Sequence, residues 1–210
     1  MASVVQICNL ALSNLGASAI SSLNDSSKGA RECSLRYETV RDSVLADHDW
    51  GFARKRLSLA QLTTTYSGWD YAYQLPIDCL VAREIYDGTG AASGYSYNAD
   101  LEAYVQAGKV EFEIATNSDL SIRMLLTDKE DAELKYTAKV SDPNVFTPIF
   151  IEALSLKLAS DLAQPLKGSL ALKDALIQSY LAILGRAQFA SANEGYKKPE
   201  VKSPILDARD

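Results

Sequence analysis

Apolar residues recur at helical spacing toward both ends of the chain and at strand spacing in the middle. Near the start, Val4, Ile7-Cys8, Ala11-Leu12 and Leu15 share one face, and Gly16 stands where a helix would end. This spacing predicts a first helix over about residues 3–15. Ala30, Cys33, Tyr37, Val40 and Val44 step by 3, 4, 3 and 4 positions, predicting a second helix. It would be capped by Asp25, Ser26 or Ser27 and run to about Asp47. From Arg54 to Val140 the texture changes to short, alternating segments. Expected strands are Leu57-Ser58-Leu59, Tyr71–Leu75, Leu80–Tyr86, Tyr104-Val105, Lys109–Ile114, Ser121–Leu126 and Leu134–Val140. Turn-forming clusters such as Asp87-Gly88-Thr89-Gly90, Ala107-Gly108 and Asn117-Ser118-Asp119 separate them. With no helical crossover among them, the expectation is an antiparallel meander.

Helical spacing returns after Asp142-Pro143. Thr147 as N-cap with Pro148 at the first helical position opens an apolar run, Ile149 to Leu162, expected to end before Pro165. Ser169 can cap a last helix carrying Leu172, Leu176, Tyr180, Ile183 and Ala187 and fading before Gly195. Residues 195–210 have no helical period and contain Pro199 and Pro204, while Val201, Ile205 and Leu206 give them apolar anchors. The fold class expected is α+β. Residues 1–53 and 141–194 form a discontinuous four-helix body from the N- and C-terminal helix pairs. Residues 54–140 form an inserted antiparallel β-rich domain, and 195–210 an extended C-terminal arm.

Composition narrows the class without naming a function. The chain has 210 residues, is 47% hydrophobic and 23% charged, and carries a net charge of −6, an ordinary globular composition. No run approaches the roughly 18 apolar residues of a membrane span, and Met1 to Gln6 lacks the basic start of a signal peptide. Cys8, Cys33 and Cys79 form no CxxC pair, which points to a reducing compartment rather than to disulfides or a cysteine-rich zinc site. Charge is uneven: residues 84–133 lean strongly acidic, and Lys28 to Arg56 leans basic through Arg31, Arg36, Arg41 and Arg54-Lys55-Arg56. An overall acidic surface disfavours tight DNA binding.

Candidate chemistry is sparse. His48, the only histidine, lies between Asp47 and Asp49 but has no GxSxG, HExxH or cysteine–histidine companion. It reads as a structural residue near a helix C-terminus, where the dipole favours a cation. Asp128, Glu130, Asp131 and Glu133 miss the calcium-loop pattern, since the sixth position from Asp128 is Glu133 rather than glycine. Gly88, Gly90 and Gly94 are spaced GxGxxxG, without a βαβ unit, and so do not match a dinucleotide fingerprint. Asn24-Asp25-Ser26 fits the glycosylation pattern but has no secretion signal beside it. Carboxylate pairs such as Glu84 with Asp87, or Glu111 with Glu113, keep a glycan-cleaving enzyme open as an alternative. A helix-turn-helix in the first two helices is a third reading, and the low pI counts against it. No catalytic residue, cofactor or metal is expected.

One ordered set of motifs carries a resemblance. Ile7-Cys8-Asn9-Leu10-Ala11-Leu12, Leu15-Gly16, Ile20-Ser21-Ser22-Leu23, Ala30-Arg31, Tyr37, Arg41-Asp42, Trp50-Gly51-Phe52-Ala53 and Tyr71-Ala72-Tyr73-Gln74-Leu75-Pro76 follow one another over about residues 4–85. In this the chain resembles the tail tubular protein A family, the head-to-tail adaptors of short-tailed bacteriophages. The resemblance implies a virion protein assembled in the host cytoplasm into a ring, usually of twelve subunits. The ring would lie between the portal protein and the tail nozzle protein, with DNA passing through its centre and no membrane partner. Trp50 and Phe52 are then the expected structural seam. Arg31, Arg36 and Arg41, with Glu38 and Asp42 beside them, and Lys197, Lys198, Val201, Ile205 and Leu206 are the candidate subunit or portal contacts.

Overall fold

A computed structural model describes residues 2–64, 66–86, 94–98, 103–107, 110–117 and 120–194. It is α+β, with four α-helices and antiparallel sheets. Helix α1 spans Val4–Asn14 and α2 Lys28–Asp47. Strands follow as β1 (Arg54–Ser58), β2 (Ala60–Gln61), β3 (Tyr71–Gln74), β4 (Cys79–Tyr86), β5 (Gly94–Asn98), β6 (Ala103–Ala107), β7 (Glu113–Thr116), β8 (Arg123–Thr127) and β9 (Glu133–Ala138). Helices α3 (Pro148–Lys167) and α4 (Leu170–Glu194) close the described chain.

The helix ends follow from local chemistry. Ser3 and Gln6 form a reciprocal capping box at α1: Gln6 N–H donates to Ser3 Oγ at 3.1 Å, and Ser3 N–H to Gln6 Oε1 at 3.2 Å. At its other end Gly16 takes φ +59°. There the N–H groups of Gly16 and Ala17 return to the carbonyls of Ser13 and Leu12, a Schellman closure. Ser27, one of the three expected caps, accepts from Ala30 N–H and starts α2. Ser169 does the same for α4 through Leu172 N–H.

Helix α3 corrects one expectation, because it runs through Pro165 instead of stopping before it. A proline removes one backbone donor and crowds the preceding turn, but only half a turn remains beyond it. That half turn is held by the N–H of Gly168, at φ +64°, donating to Gln164 O, and by Lys28 Nζ donating to the carbonyl of Pro165. Thr147 takes the N-cap position without making a side-chain cap bond; its hydroxyl is buried with no partner among the described residues.

The strands are antiparallel but not a meander. Their orders are β1-β9-β4, β2-β3-β8-β7 and β5-β6, so the first and last strands of the region are neighbours. Arg54 lies opposite Thr137 and Ser58 opposite Glu133. The physical reason is where these strands come from: β1 leaves the end of α2, and β9 feeds the start of α3. Pairing them satisfies both ladders next to the helices. The expected strand over 109–114 lies later, at β7, and β2 and β5 have no counterpart in the sequence-based expectation. The arm expected at 195–210 lies outside the described residues, as does the Asp87 to Gly90 turn.

Buried residues of all four helices form one cluster with Trp50, Ala53 and Phe146; Phe52, Leu80 and Val140 pack on its edge. Helix α3 is its axis and contacts α1, α2 and α4. Cys8 and Cys33 are buried there, in the role of small hydrophobes expected of them. The sheets have two smaller clusters, one around Tyr73, Leu125, Leu134 and Tyr136, the other around Ala72, Met124 and Leu126.

Candidate functional site: the joint between helices and sheet

The residues that singled themselves out in the sequence converge where α2 turns into β1. After α2 the chain leaves helical dihedrals at His48, and Gly51–Ala53 forms one 3₁₀ turn. Trp50 is 3% exposed, and its indole N–H donates to the carbonyl of Val44 at 2.8 Å, one of the last acceptors of α2. Its ring meets Phe150 edge-on at 5.0 Å; Phe52 meets Phe150 at 5.0 Å and Phe146 at 5.6 Å. The tryptophan and Phe52 therefore tie the end of α2 to the start of α3, which is separated from it by the whole strand region.

The sheet side of the joint is built by β4. Its pairing with β9 skips a residue twice, between Cys79 and Val81 and between Ala82 and Glu84. A bulged residue has no partner across the ladder and is re-aimed. The two left over are Leu80 and Arg83, and both turn to the helices. Leu80 packs on the helical cluster. Arg83 Nη2 donates to the carbonyls of Ala46 at 2.8 Å and His48 at 3.0 Å, while its Nε donates to Thr137 Oγ1 at 2.9 Å. A guanidinium thus caps the C-terminal end of α2 from outside the helix, where a cation is favoured by the dipole. Sequence reasoning missed Arg83. Its only readable sign was a charged pair, Arg83-Glu84, interrupting the apolar residues of that strand.

Charge pairs surround these contacts. Asp49 accepts from Arg54 and lies 3.4 Å from Lys135 Nζ, which is also 3.4 Å from Glu84. Burial alone would raise the Asp49 carboxyl, but the Arg54 hydrogen bond and the charges of Arg54 and Lys135 outweigh it and hold the group below its ordinary range. Asp42 joins Lys139 at 3.0 Å to Arg41 at 2.7 Å. Asp78 takes Lys55 and the Tyr136 hydroxyl, and is likewise held low against the effect of burial. Tyr180 on α4 donates to Asp47 Oδ2 at 2.6 Å.

His48 departs from the expected charged form. Burial, reinforced by Arg83 and Arg54 and opposed by Asp49, pushes its imidazole below the ordinary value, so the dipole does not decide its state. Its ring stands edge-on to Trp50 at 4.8 Å. Of the carboxylate pairs expected for the glycan-cleaving alternative, Asp87 lies outside the described residues, and Glu111 and Glu113 are exposed, with Glu113 accepting from the Trp69 indole N–H at 3.1 Å.

The other expected contact residues separate. Arg41 is 3% exposed and forked onto Asp42, so it presents no charge at the surface of the chain. Arg36 pairs with Glu32 one turn away; Arg31 and Glu38 are exposed on α2. Lys197, Lys198, Val201, Ile205 and Leu206 lie outside the described residues. Asp128, Glu130 and Asp131 are exposed at the β8–β9 turn, and no group of three His, Cys, Asp or Glu side chains among the described residues could hold a metal ion. No described helix is long and apolar enough to cross a membrane.

No protein-family model matches the chain, and a search of curated proteins returns no match.

Proposed function

We propose that this chain is a structural head-to-tail adaptor of a short-tailed phage virion, with no chemical step of its own. In this reading it assembles into a ring of about twelve copies joining the portal to the tail nozzle, and DNA passes through without specific binding. The finer architecture belongs to the same proposal: a discontinuous four-helix body carries lateral contacts, an inserted sheet region presents a second surface, and residues 195–210 serve as an extended arm.

The observation that carries the reading is the joint itself. The motif residues behind the resemblance, Trp50-Gly51-Phe52-Ala53, are spent on holding α2 against α3 and on seating the sheet. The carboxylates around them are ion-paired or hydrogen-bonded: Asp49 to Arg54 and Lys135, Asp78 to Tyr136, Asp47 to Tyr180. A connector needs two binding surfaces at a fixed mutual orientation, and this joint supplies that rigidity. The acidic balance of −6 suits a conduit that must not adsorb DNA.

Mass photometry and negative-stain imaging of the purified chain, with and without portal protein, test the proposal. Rings are expected at least when portal is present. A chain that stays monomeric with portal at micromolar concentration would remove the adaptor role. Deleting 195–210 should weaken ring or portal association while the helical content stays intact; unchanged assembly would take the arm out of the mechanism.

A further inference from the structure

We infer that two copies of the free chain dimerise through the outer face of α4, packed antiparallel on the same face of the partner. The inner stripe of α4, Leu176, Tyr180, Ile183 and Ala187, is buried in the helical cluster. The outer face is not covered: Leu170 is 63% exposed, Leu181 51% and Phe189 78%. Lys173, Asp174 and Arg186 are the only charged residues from 170 to 190. A helix that is apolar on both sides belongs under cover on both. Gly185 is a separate sign. It lies within the helix, where a glycine costs stability, and a Cβ there would meet nothing within 4 Å. Packing inside the chain therefore does not require this glycine, whereas close approach from outside does.

The order of residues on this face selects a second copy as the partner. At about 100° per residue, Ala171, Asp174, Leu181, Gly185 and Phe189 all lie within about 60° of Gln178. Two such faces, antiparallel and level at position 180, bring together residues equally far before and after it. Asp174 then meets the partner's Arg186, and Arg186 the partner's Asp174. Phe189 meets the partner's Ala171, and Ala175 the partner's Gly185, so each large side chain faces a small one and the axes can come close. Both charges are available for the exchange. The Asp174 carboxylate has no partner among the described residues, and Arg186 reaches only Glu152, at 3.9 Å, and is 67% exposed. A parallel pair would instead hold like charges level with one another. Because the same face is used twice, the contact closes at two copies. It is separate from the ring contacts proposed above, which join unlike faces, and does not depend on the adaptor reading.

Analytical ultracentrifugation of the full-length chain without portal protein tests it. A dimer is expected, and a chain that stays monomeric at every soluble concentration would overturn the inference. Asp174→Arg or Arg186→Asp alone should weaken the dimer about tenfold. The two together in one chain should restore it, since both pairs re-form with reversed sign; a double variant as weak as the singles would exclude this register. Gly185→Gln separates the contact from folding. It should raise the urea midpoint by replacing a helix-interior glycine, yet weaken the dimer by about tenfold or more, and a dimer of undiminished affinity would rule out the close approach. Oxidising an equimolar mixture of Gln178→Cys and Ala182→Cys chains should favour the mixed disulfide over either like pair, whereas equal yields would refute the antiparallel arrangement.

Discussion

The helices and the sheets solve the same burial problem by different means. The helical part pools its apolar residues into one cluster centred on α3, whereas the strands divide theirs between two smaller clusters. Polar ties follow the reverse pattern. Within the helical cluster most contacts are apolar, and the hydroxyl of Tyr37 lacks a partner among the described residues. Where β1, β4 and β9 meet the helices, Arg83, Lys135, Lys139, Asp42 and Asp49 interlock. Packing supplies stability to the first region, and directed polar contacts fix how the second is mounted on it. A perturbation of the cluster should unfold the chain, and one at the mount should loosen the sheet first.

The largest expected effect is that of Trp50→Ala. Removing a buried indole that bridges α2 and α3 should cost about 3–5 kcal/mol, read as a shift in the urea midpoint. A folded variant of near-native stability would break the contrast, since the joint would then not depend on packing. Next comes Arg83→Met, which keeps the aliphatic stem but strands the carbonyls of Ala46 and His48. A loss of about 2 kcal/mol is expected, with amide exchange rising at the end of α2 and in β4 before it rises in α3. Arg83→Lys should recover only part of it, because one ammonium does not reproduce the guanidinium fork. Equal exchange changes throughout would show that mount and cluster are one cooperative unit.

Tyr180→Phe removes the hydrogen bond to Asp47 and should cost about 1–1.5 kcal/mol in thermal or urea melts. A pH effect comes from His48. Its native imidazole titrates below the ordinary 6.5, so below that value the unfolded chain binds more protons than the native one. Stability should fall as pH drops from about 7 to about 5, and His48→Gln should flatten that slope. The Asp49 contribution is lost in a separate, lower window: it is fully present above 3.8 and disappears as pH falls through the lowered native value. The smallest effect on folding is expected for Arg31→Glu, within about 0.5 kcal/mol. If α2 presents a subunit face, this exposed change should weaken ring formation while leaving the melt untouched.

What the sequence disclosed tracks how local the cause is. Ser27, Ser169 and Gly16 act through bonds within a few residues, and their roles were readable. So was the stripe from Ala30 to Val44, because helical burial imposes its own period. Pro165 misled because a proline's cost depends on how much helix follows it, which tertiary contacts at Lys28 and Gly168 decide. The meander failed for a related reason: partner choice among strands rests on where β1 and β9 are tethered, and no local pattern records that. Trp50 announced the joint, but Arg83 did not, since its direction depends on two skipped residues in a ladder between strands some fifty positions apart. Arg41 looked like a surface cation until Asp42 and the fold enclosed it.

The pairing of β1 with β9 also has a mechanical meaning. Both strands join the helices at the same end, where Arg54 faces Thr137. A pull on the far end of the sheets, directed away from the helices, tensions the two strands in parallel, so the hydrogen bonds between them are neither sheared nor unzipped. The strain passes through covalent backbone to the turn at Gly51–Ala53 on one side and the start of α3 on the other. Among the contacts that lie outside that covalent path are those that cross from β4, the Arg83 fork and the Leu80 side chain. They brace the sheet against the end of α2, off the line of the two tethering strands.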